Sequence, residues 1–219
     1  MAWSGRVRQK VGVKSFPKKA DITKPTFGLP RRGSGMIQNE VEVLTKEAPV
    51  LLVWMPTALS GLLEIAPEFF EKWLAPHLDL GSSPIFQLSS ILSRKDPQEM
   101  NLVCRAVYDN PEVGVTLTRR WPDSFIRQLI AANQRLTEMS GRSLRQLLRT
   151  GDMRLFQTRR HSAKISASMQ AKTEFLIPYT GRASWKRPDA RPNIFEFVAI
   201  PFYLGEELFV AGFDREVTD

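Results

Sequence analysis

The stretch NIFEFVAIPFYLGEELFVAGF, residues 193–213, decides the fold of the C-terminal third of this chain. Its two apolar halves lie on either side of Gly205-Glu206, and this arrangement predicts a pair of strands joined by a turn. Pro201 has no backbone N–H to donate, so we expect its strand to lie at the edge of a sheet. We therefore predict antiparallel strands towards the C-terminus.

Further strands are predicted upstream of this pair. Two apolar segments flank Asn110-Pro111 and indicate a hairpin. An apolar run between Pro49 and Pro56 is typical of a buried strand. In chain order, the upstream segments assigned as strands are IQNEVEVLT (37–45), PVLLVWMP (49–56), NLVCRAVYD (101–109), EVGVTLTRR (112–120) and AKISASMQAKTEFLIPY (163–179).

Helices are predicted between these strands, at residues 57–65, 67–78, 83–94 and 124–139. The last of them, SFIRQLIAANQRLTEM, has the clearest pattern, with Asp123 or Ser124 as a cap and Gly141 just past its end. Ser143 and Gln146 then form a capping box for a shorter second helix, which Gly151 closes. These two helices predict a central helical hairpin.

The fold class predicted from these elements is α+β. We expect a mixed domain over residues 36–219, with the central helical hairpin, antiparallel strands towards the C-terminus and an extended basic arm over residues 1–35. The arm contains three Pro, five Gly and nine Lys or Arg with a single acid, and it shows no regular period. Such arms become ordered on a partner.

Charge is distributed unevenly along the chain. The formal net charge is +8 over residues 1–35, −6 over 36–118, +11 over 119–191 and −5 over 192–219. Basic segments favour polyanions because binding releases condensed counterions. The acidic segments, in turn, offer complementary faces for contacts between subunits.

Arg142, Arg145 and Arg149 form a stripe on the second helix of the hairpin. Helix geometry places them within roughly 60° of one another, away from the leucines at 144, 147 and 148. Guanidinium groups bind phosphate through forked donors, so the stripe predicts a nucleic-acid-binding surface. The run continues through Arg154, Arg159, Arg160 and Lys164.

Two other basic clusters are predicted to join this surface. The loop GRASWKRPDARP (181–192) places Trp185 among cations, where an indole can stack on a base. An equally weighted alternative makes Trp185 a cation–π contact within the fold or an anchor at an interface. The residues assigned here are Arg182, Trp185, Lys186 and Arg187 in the loop, and Lys18, Lys19, Arg31 and Arg32 in the arm.

The leading hypothesis from the sequence is a non-enzymatic, nucleic-acid-binding structural subunit of a nucleoprotein assembly. Such an assembly is a viral coat or nucleocapsid, or a multi-subunit RNA-guided complex. The predicted partners are nucleic acid and other protein subunits, and the chain is expected to be an oligomer or part of a larger complex. The sequence does not distinguish DNA from RNA, or single from double strands.

Three other functions are kept open. His161 lies beside Arg159, Arg160 and Lys164, and could act as general acid or base in a metal-independent RNA-processing nuclease. A matrix-like protein would place the basic arm on anionic lipid head groups. The spacing of Leu136, Gly141, Ser143 and Leu147 partly fits a helix-turn-helix DNA-binding regulator.

Composition excludes several classes of site. One cysteine, Cys104, and two histidines, His77 and His161, cannot build a Cys/His zinc site within one chain, and no metal or cofactor is predicted. The first residues lack the apolar region of a secretory signal, and no apolar run reaches the ~20 residues of a membrane span. We expect an intracellular protein, cytoplasmic or within a virion.

Overall fold

A computed structural model describes residues 48–121, 126–149, 162–189, 191 and 193–217. Within this part of the chain, the side chains of residues 48–50 and 162–166 are left out of the description. The predicted basic arm and the predicted strand at residues 37–45 lie outside the described residues.

Four helical segments open the described chain. They are α1 (Ala48–Ile65), α2 (Pro67–Phe69) with its π-helical and 3₁₀ continuations (Phe70–Leu74 and Ala75–His77), α3 (Pro84–Arg94) and α4 (Pro97–Tyr108). The last three begin with proline, which needs no hydrogen-bond acceptor at a first-turn position. The predicted helices at 67–78 and 83–94 are confirmed.

Five strands and three further helices follow. They are β1 (Val113–Arg120), β2 (Arg127–Ala132), α5 (Gln134–Ser140), α6 (Leu144–Arg149), α7 (Ser162–Glu174), β3 (Tyr179–Ser184), β4 (Ile194–Leu204) and β5 (Glu207–Val217). The strands form one antiparallel sheet in the order β2-β1-β5-β4-β3. The predicted α+β class with antiparallel strands towards the C-terminus is therefore confirmed.

Helices cover both faces of the sheet. On the first, the α1 face, Val115, Ile200 and Phe213 belong to a buried cluster with residues of α1 to α4. On the second, the cavity face, Phe197 and Val210 pack in a cluster with residues of α5, α6 and α7. Side chains of one strand alternate between the two faces, so β2, β4 and β5 contribute to both clusters.

The turn between β4 and β5 forms as predicted, with Gly205 at φ 61°. The edge position predicted for the strand of Pro201 is wrong, because β4 lies between β5 and β3. The pairing of β4 with β3 ends at Ala199, which lies two residues before Pro201. The missing N–H therefore removes no hydrogen bond between these two strands.

The strand predicted at residues 49–56 is wrong, since this segment forms the first half of α1. Short apolar runs are compatible with either a buried strand or a buried helix. The buried residues Leu51, Trp54, Met55, Ala58 and Leu59 follow the three- and four-residue spacing of a helix. Pro56 lies inside this helix.

The hairpin predicted around Asn110-Pro111 is half correct. Residues 113–120 of the second segment form β1, as expected, but residues 101–108 of the first belong to helix α4. Met100, Val103, Cys104 and Val107 are buried at helical spacing. The side chain of Asp96 caps this helix by accepting hydrogen bonds from two backbone N–H groups.

The long helix predicted at residues 124–139 is a strand followed by a short helix. Residues 127–132 form β2, and α5 begins after Asn133, whose side chain caps it. The predicted caps Asp123 and Ser124 lie outside the described residues. Apolar residues around position 130 satisfy the periods of both structures, and pairing with β1 selects the strand.

The helical hairpin is present, but its first helix, α5, is shorter than predicted. Gly141 adopts the left-handed conformation at the end of α5, with φ 66°. Ser143 and Gln146 form the predicted capping box before α6. In contrast, the strand predicted at residues 163–179 is wrong for most of its length, because residues 162–174 form α7.

Candidate ligand-binding cavity

A cavity of about 80 Å³ lies on the cavity face of the sheet. All five strands contribute side chains to its lining, and Met169 of α7 contributes from above. The lining residues on the strands are Thr116, Thr118, Arg120, Arg127, Tyr179, Ala183, Phe195, Phe197, Ala199, Val210, Gly212 and Asp214, with Trp185 just after β3. We call this space the Asp214 cavity.

Small residues on neighbouring strands form the floor of the cavity. Thr116 of β1 pairs with Gly212 of β5, and Gly212 pairs with Ala199 of β4. A β-carbon on Gly212 would overlap the Thr116 hydroxyl, so the two strands approach closely only with glycine at this position. The row of short side chains leaves space that larger residues would fill.

Four aromatic rings form one wall. Tyr179 contacts Phe197 edge to face at 6.1 Å between ring centroids, and Phe195 lies 6.2 Å from Phe197. Trp185 packs against Phe195 at 5.4 Å. Gly181 makes room for Phe197, because a β-carbon there would lie 2.8 Å from its ring. The wall is therefore mostly apolar.

Asp214 is the acidic group in the lining. It is only 7% exposed, and burial raises the pKa of its carboxyl group to about 7. In the register of the sheet it lies between Gly114 of β1 and Phe197 of β4, neither of which has a polar side chain. Within the described part of the chain, no group donates a hydrogen bond to this carboxylate.

Two arginines lie at another part of the lining. Arg120 of β1 and Arg127 of β2 are directly paired, and they are 4% and 8% exposed. Arg127 Nη2 lies 3.6 Å from Met169 Sδ, and both arginines make further interactions in the protein. Buried polar groups on three strands give the cavity an electrostatic character that a simple packing defect lacks.

Two residues of the predicted arginine stripe, Arg145 and Arg149, lie on α6, whereas Arg142 precedes this helix. Arg145 is exposed, Leu147 is buried, and Arg149 is exposed with a further interaction in the protein. Arg142 is partly buried, and its Nη1 donates to the carbonyl of Ser140 at 3.1 Å. Burial, and then the nearby Arg187, lower the pKa of Arg142.

Two arginines of the segment predicted to bind nucleic acid, Arg182 and Arg187, are paired within the molecule. Arg182 Nε donates to Glu196 at 3.0 Å. Arg187 donates to both carboxylate oxygens of Asp189 at 3.0 Å, and to the carbonyl of Met139 at 2.7 Å. Its guanidinium lowers the pKa of Asp189 to about 2.

Trp185 faces the cavity rather than solvent, with 6% of its surface exposed, whereas Lys186 is exposed. The remaining predicted site residues lie outside the described residues or have no described side chain. They are Lys18, Lys19, Arg31, Arg32, Arg154, Arg159, Arg160, His161 and Lys164. The part of the chain that the structure describes contains no helix long and apolar enough to cross a membrane.

Comparison with known proteins gives structural similarity without sequence similarity. No family profile matches the chain, and no curated protein is significantly similar to it. A PAS domain from a two-component sensor histidine kinase is 17% identical, with TM-score 0.40, over 50% of this chain and 88% of that one. A PAS domain from Colwellia psychrerythraea is 16% identical, with TM-score 0.44, over 52% of this chain and 93% of that one.

A LOV protein from Rhodobacter sphaeroides is also similar in structure. It is 20% identical, with TM-score 0.44, over 52% of this chain and 64% of the LOV protein.

The predicted nucleic-acid-binding structural subunit is wrong. The similar structures named above are PAS and LOV proteins. Arg182 and Arg187, which the prediction assigned to phosphate, are paired with Glu196 and Asp189 of the same chain. The predicted partners, nucleic acid and the subunits of a viral or nucleoprotein assembly, are corrected with it.

Sequence reasoning missed Asp214, Arg120, Arg127 and Thr116. One signal was present, because Asp214 lies in the same alternating phase of β5 as Val210 and Gly212. A charged residue on the same face as these small and apolar residues, near the end of the strand, marks either the strand end or a buried polar site. Only the helices above the sheet distinguish the two.

Proposed function

We propose that the described domain is a small-molecule-binding module whose ligand occupies the Asp214 cavity. The observation that supports this most is the combination of a floor of small residues, an aromatic wall and buried ionisable groups. Ligand sites are concave, mostly apolar and equipped with a few convergent polar groups. The cavity has each of these properties.

Helix α7 is the element that would respond to the ligand. Met169 of α7 lines the cavity, and Thr173 Oγ1 lies 3.4 Å from the hydroxyl of Tyr179 in the aromatic wall. Thr173 also donates to the carbonyl of Met169 at 2.8 Å, as part of the same turn. A ligand that contacts Met169 therefore changes the packing of α7 on the sheet.

Thermal-shift screening of a metabolite library tests this function. We expect hits with the wild-type chain that are lost in Ala199→Leu, because leucine on the floor fills the cavity. Ala106→Leu, a partly buried position on α4 away from the cavity, is the matched control and should keep the hits. If no compound, whatever its charge, raises the melting temperature of wild type more than that of Ala199→Leu, the proposed function is wrong.

A further inference from the structure

We propose that the ligand of the Asp214 cavity is a compact organic cation, an ammonium or an amidinium, whose charge lies on the carboxylate of Asp214. The apolar part of the ligand would rest against Phe197. This inference rests on the proposed function, because it names the class of ligand that the same cavity accepts.

The carboxylate of Asp214 is an acceptor that needs a donor. An ionised carboxylate can accept about four hydrogen bonds, and burial without them is costly. Asp214 is more than nine-tenths buried, and no described residue donates to it. A ligand N–H group would supply both the hydrogen bond and the opposite charge.

The aromatic wall suits the same ligand. Phe197 pairs directly with Asp214 across the β4–β5 ladder, so a cation held by the carboxylate lies beside this ring. Aromatic faces attract cations most strongly where water is excluded. The ring of Tyr179 already has a cation near it, since Lys172 Nζ lies 5.8 Å from its centroid. Phe197 is the ring next to Asp214 and the one assigned to the ligand.

The volume limits the size of the ligand. At about 80 Å³ the cavity is smaller than the ~150 Å³ engineered cavity that holds benzene. The space therefore fits a cation of only a few heavy atoms, such as a short alkylammonium. Larger rings would require the wall or α7 to move.

Arg120 and Arg127 favour an anion at their part of the cavity, whereas the carboxylate of Asp214 favours a cation at its own part. Along β1, the Cα of Arg120 is six residues, roughly 20 Å at ~3.3 Å per residue, from the Cα of Gly114, which pairs with Asp214. Both arginines already make other interactions, whereas the carboxylate of Asp214 has no described donor. We therefore place the cation at the Asp214 end of the lining, away from the two arginines.

The nearest other acid on this face of β5 already has partners. Glu216, two residues along the same face of β5, accepts hydrogen bonds from Arg135 of α5 at 2.9 Å and from Asn193 at 2.6 Å. Leu136 and Met139 of α5 cover Gly114, and both are apolar. On α7 the lining residue is the uncharged Met169.

Three probes of similar shape test the charge preference: n-propylamine, 1-propanol and propionate. Calorimetric titration of the full chain at pH 8 should give binding of n-propylamine that exceeds the other two at least tenfold. Asp214→Asn should lose this preference, and Glu206→Gln, an exposed acid in the β4–β5 turn, should keep it. Affinity for n-propylamine should fall about tenfold from pH 8 to pH 6, as Asp214 takes up a proton near pH 7.

Phe197→Leu provides a second variant in case Asp214→Asn does not fold. It should weaken n-propylamine while leaving 1-propanol unchanged, because leucine keeps apolar contact but has no ring face. If propionate binds more strongly than n-propylamine, and Arg120→Gln loses this binding, the ligand is not a cation but the proposed function still holds. Equal binding of all three probes, or of none, would also overturn the cation. The function itself falls only if the metabolite library also gives no cavity-dependent hit.

Discussion

At the scale of single residues, the cavity face depends on a few side chains whose neighbours make them unusual. Asp214 follows a run of apolar residues and is buried beside Phe197. Its carboxyl group is easier to protonate than an exposed one, because the interior disfavours the charged form. The same residue therefore controls both the polarity of the cavity and the response of stability to pH.

Asp214→Asn should stabilise the protein above neutral pH and have little effect in acid. The folded pKa of about 7 lies above the ordinary 3.8, so stability is full below about pH 4 and is lost as pH rises through 7. The wild type therefore loses on the order of a few kcal/mol of its free energy of unfolding, at ~1.4 kcal/mol per pKa unit. Urea unfolding from pH 4 to 8 measures it, with Glu206→Gln as a control. Parallel pH profiles for wild type and Asp214→Asn would contradict this.

At the scale of elements, the side chain of Asn133 links helix α5 to the sheet. Asn133 caps α5 by accepting a hydrogen bond from Leu136 N at 3.0 Å. Its side chain also accepts from Val115 N at 2.9 Å and donates to the carbonyl of Val113 at 2.8 Å. One buried side chain therefore begins a helix and connects it to β1.

Asn133→Ala should cost more than the loss of an ordinary helix cap. An exposed cap is worth about 1 kcal/mol, whereas Asn133 leaves three buried backbone groups without partners. We expect a decrease of about 3 kcal/mol in the free energy of unfolding, measured with urea. Asp96→Ala, which removes the exposed cap of α4, is the comparison and should cost about 1 kcal/mol. Equal losses in the two variants would contradict the role of Asn133.

Gly61→Ala tests the packing of α1 on the sheet. A β-carbon at this position would lie 2.6 Å from Ile200 Cγ2. Overpacking costs about 1–3 kcal/mol, while alanine gains about 1 kcal/mol in helix propensity, so we expect a net loss of roughly 1 kcal/mol. Thermal unfolding measures the change, with Ser60→Ala on the exposed side of α1 as the control. A more stable Gly61→Ala variant would show that α1 does not pack closely here.

At the scale of the whole molecule, the two faces of one sheet have different tasks. On the α1 face the buried cluster is apolar, as in an ordinary core. On the cavity face, threonines, arginines and Asp214 are buried beside aromatic rings. The first face gives stability, and the second keeps the space that we propose for the ligand.

Ligand binding should protect α7 as well as the strands of the cavity from hydrogen exchange. Met169 and Thr173 connect α7 to the cavity, so a bound ligand stabilises the helix together with the sheet. Exchange measured by mass spectrometry with and without a screening hit tests this, with α4 as an internal reference. Protection confined to β1 and β5 would show that α7 does not respond.

The sequence by itself determined the α+β class, the turn at Gly205, the capping box at Ser143 and the helices near residues 67 and 84. These depend on local chemistry, namely left-handed glycine, side-chain caps and first-turn prolines. Tertiary structure decided whether apolar runs became helix or strand, as at residues 49–56 and 127–132. Such runs satisfy both periods, and only pairing partners choose between them.

The cavity is also a feature that tertiary structure decided, because it depends on which segments pack against the sheet. In β1, valines and Leu117 alternate with Thr116, Thr118 and Arg120, a pattern typical of a strand with one face in water. In the folded chain both phases are buried, because α5, α6 and α7 cover the polar one. Alternation in a sequence specifies which residues share a face. What covers that face depends on contacts between distant segments, and these decided that the polar side became a cavity.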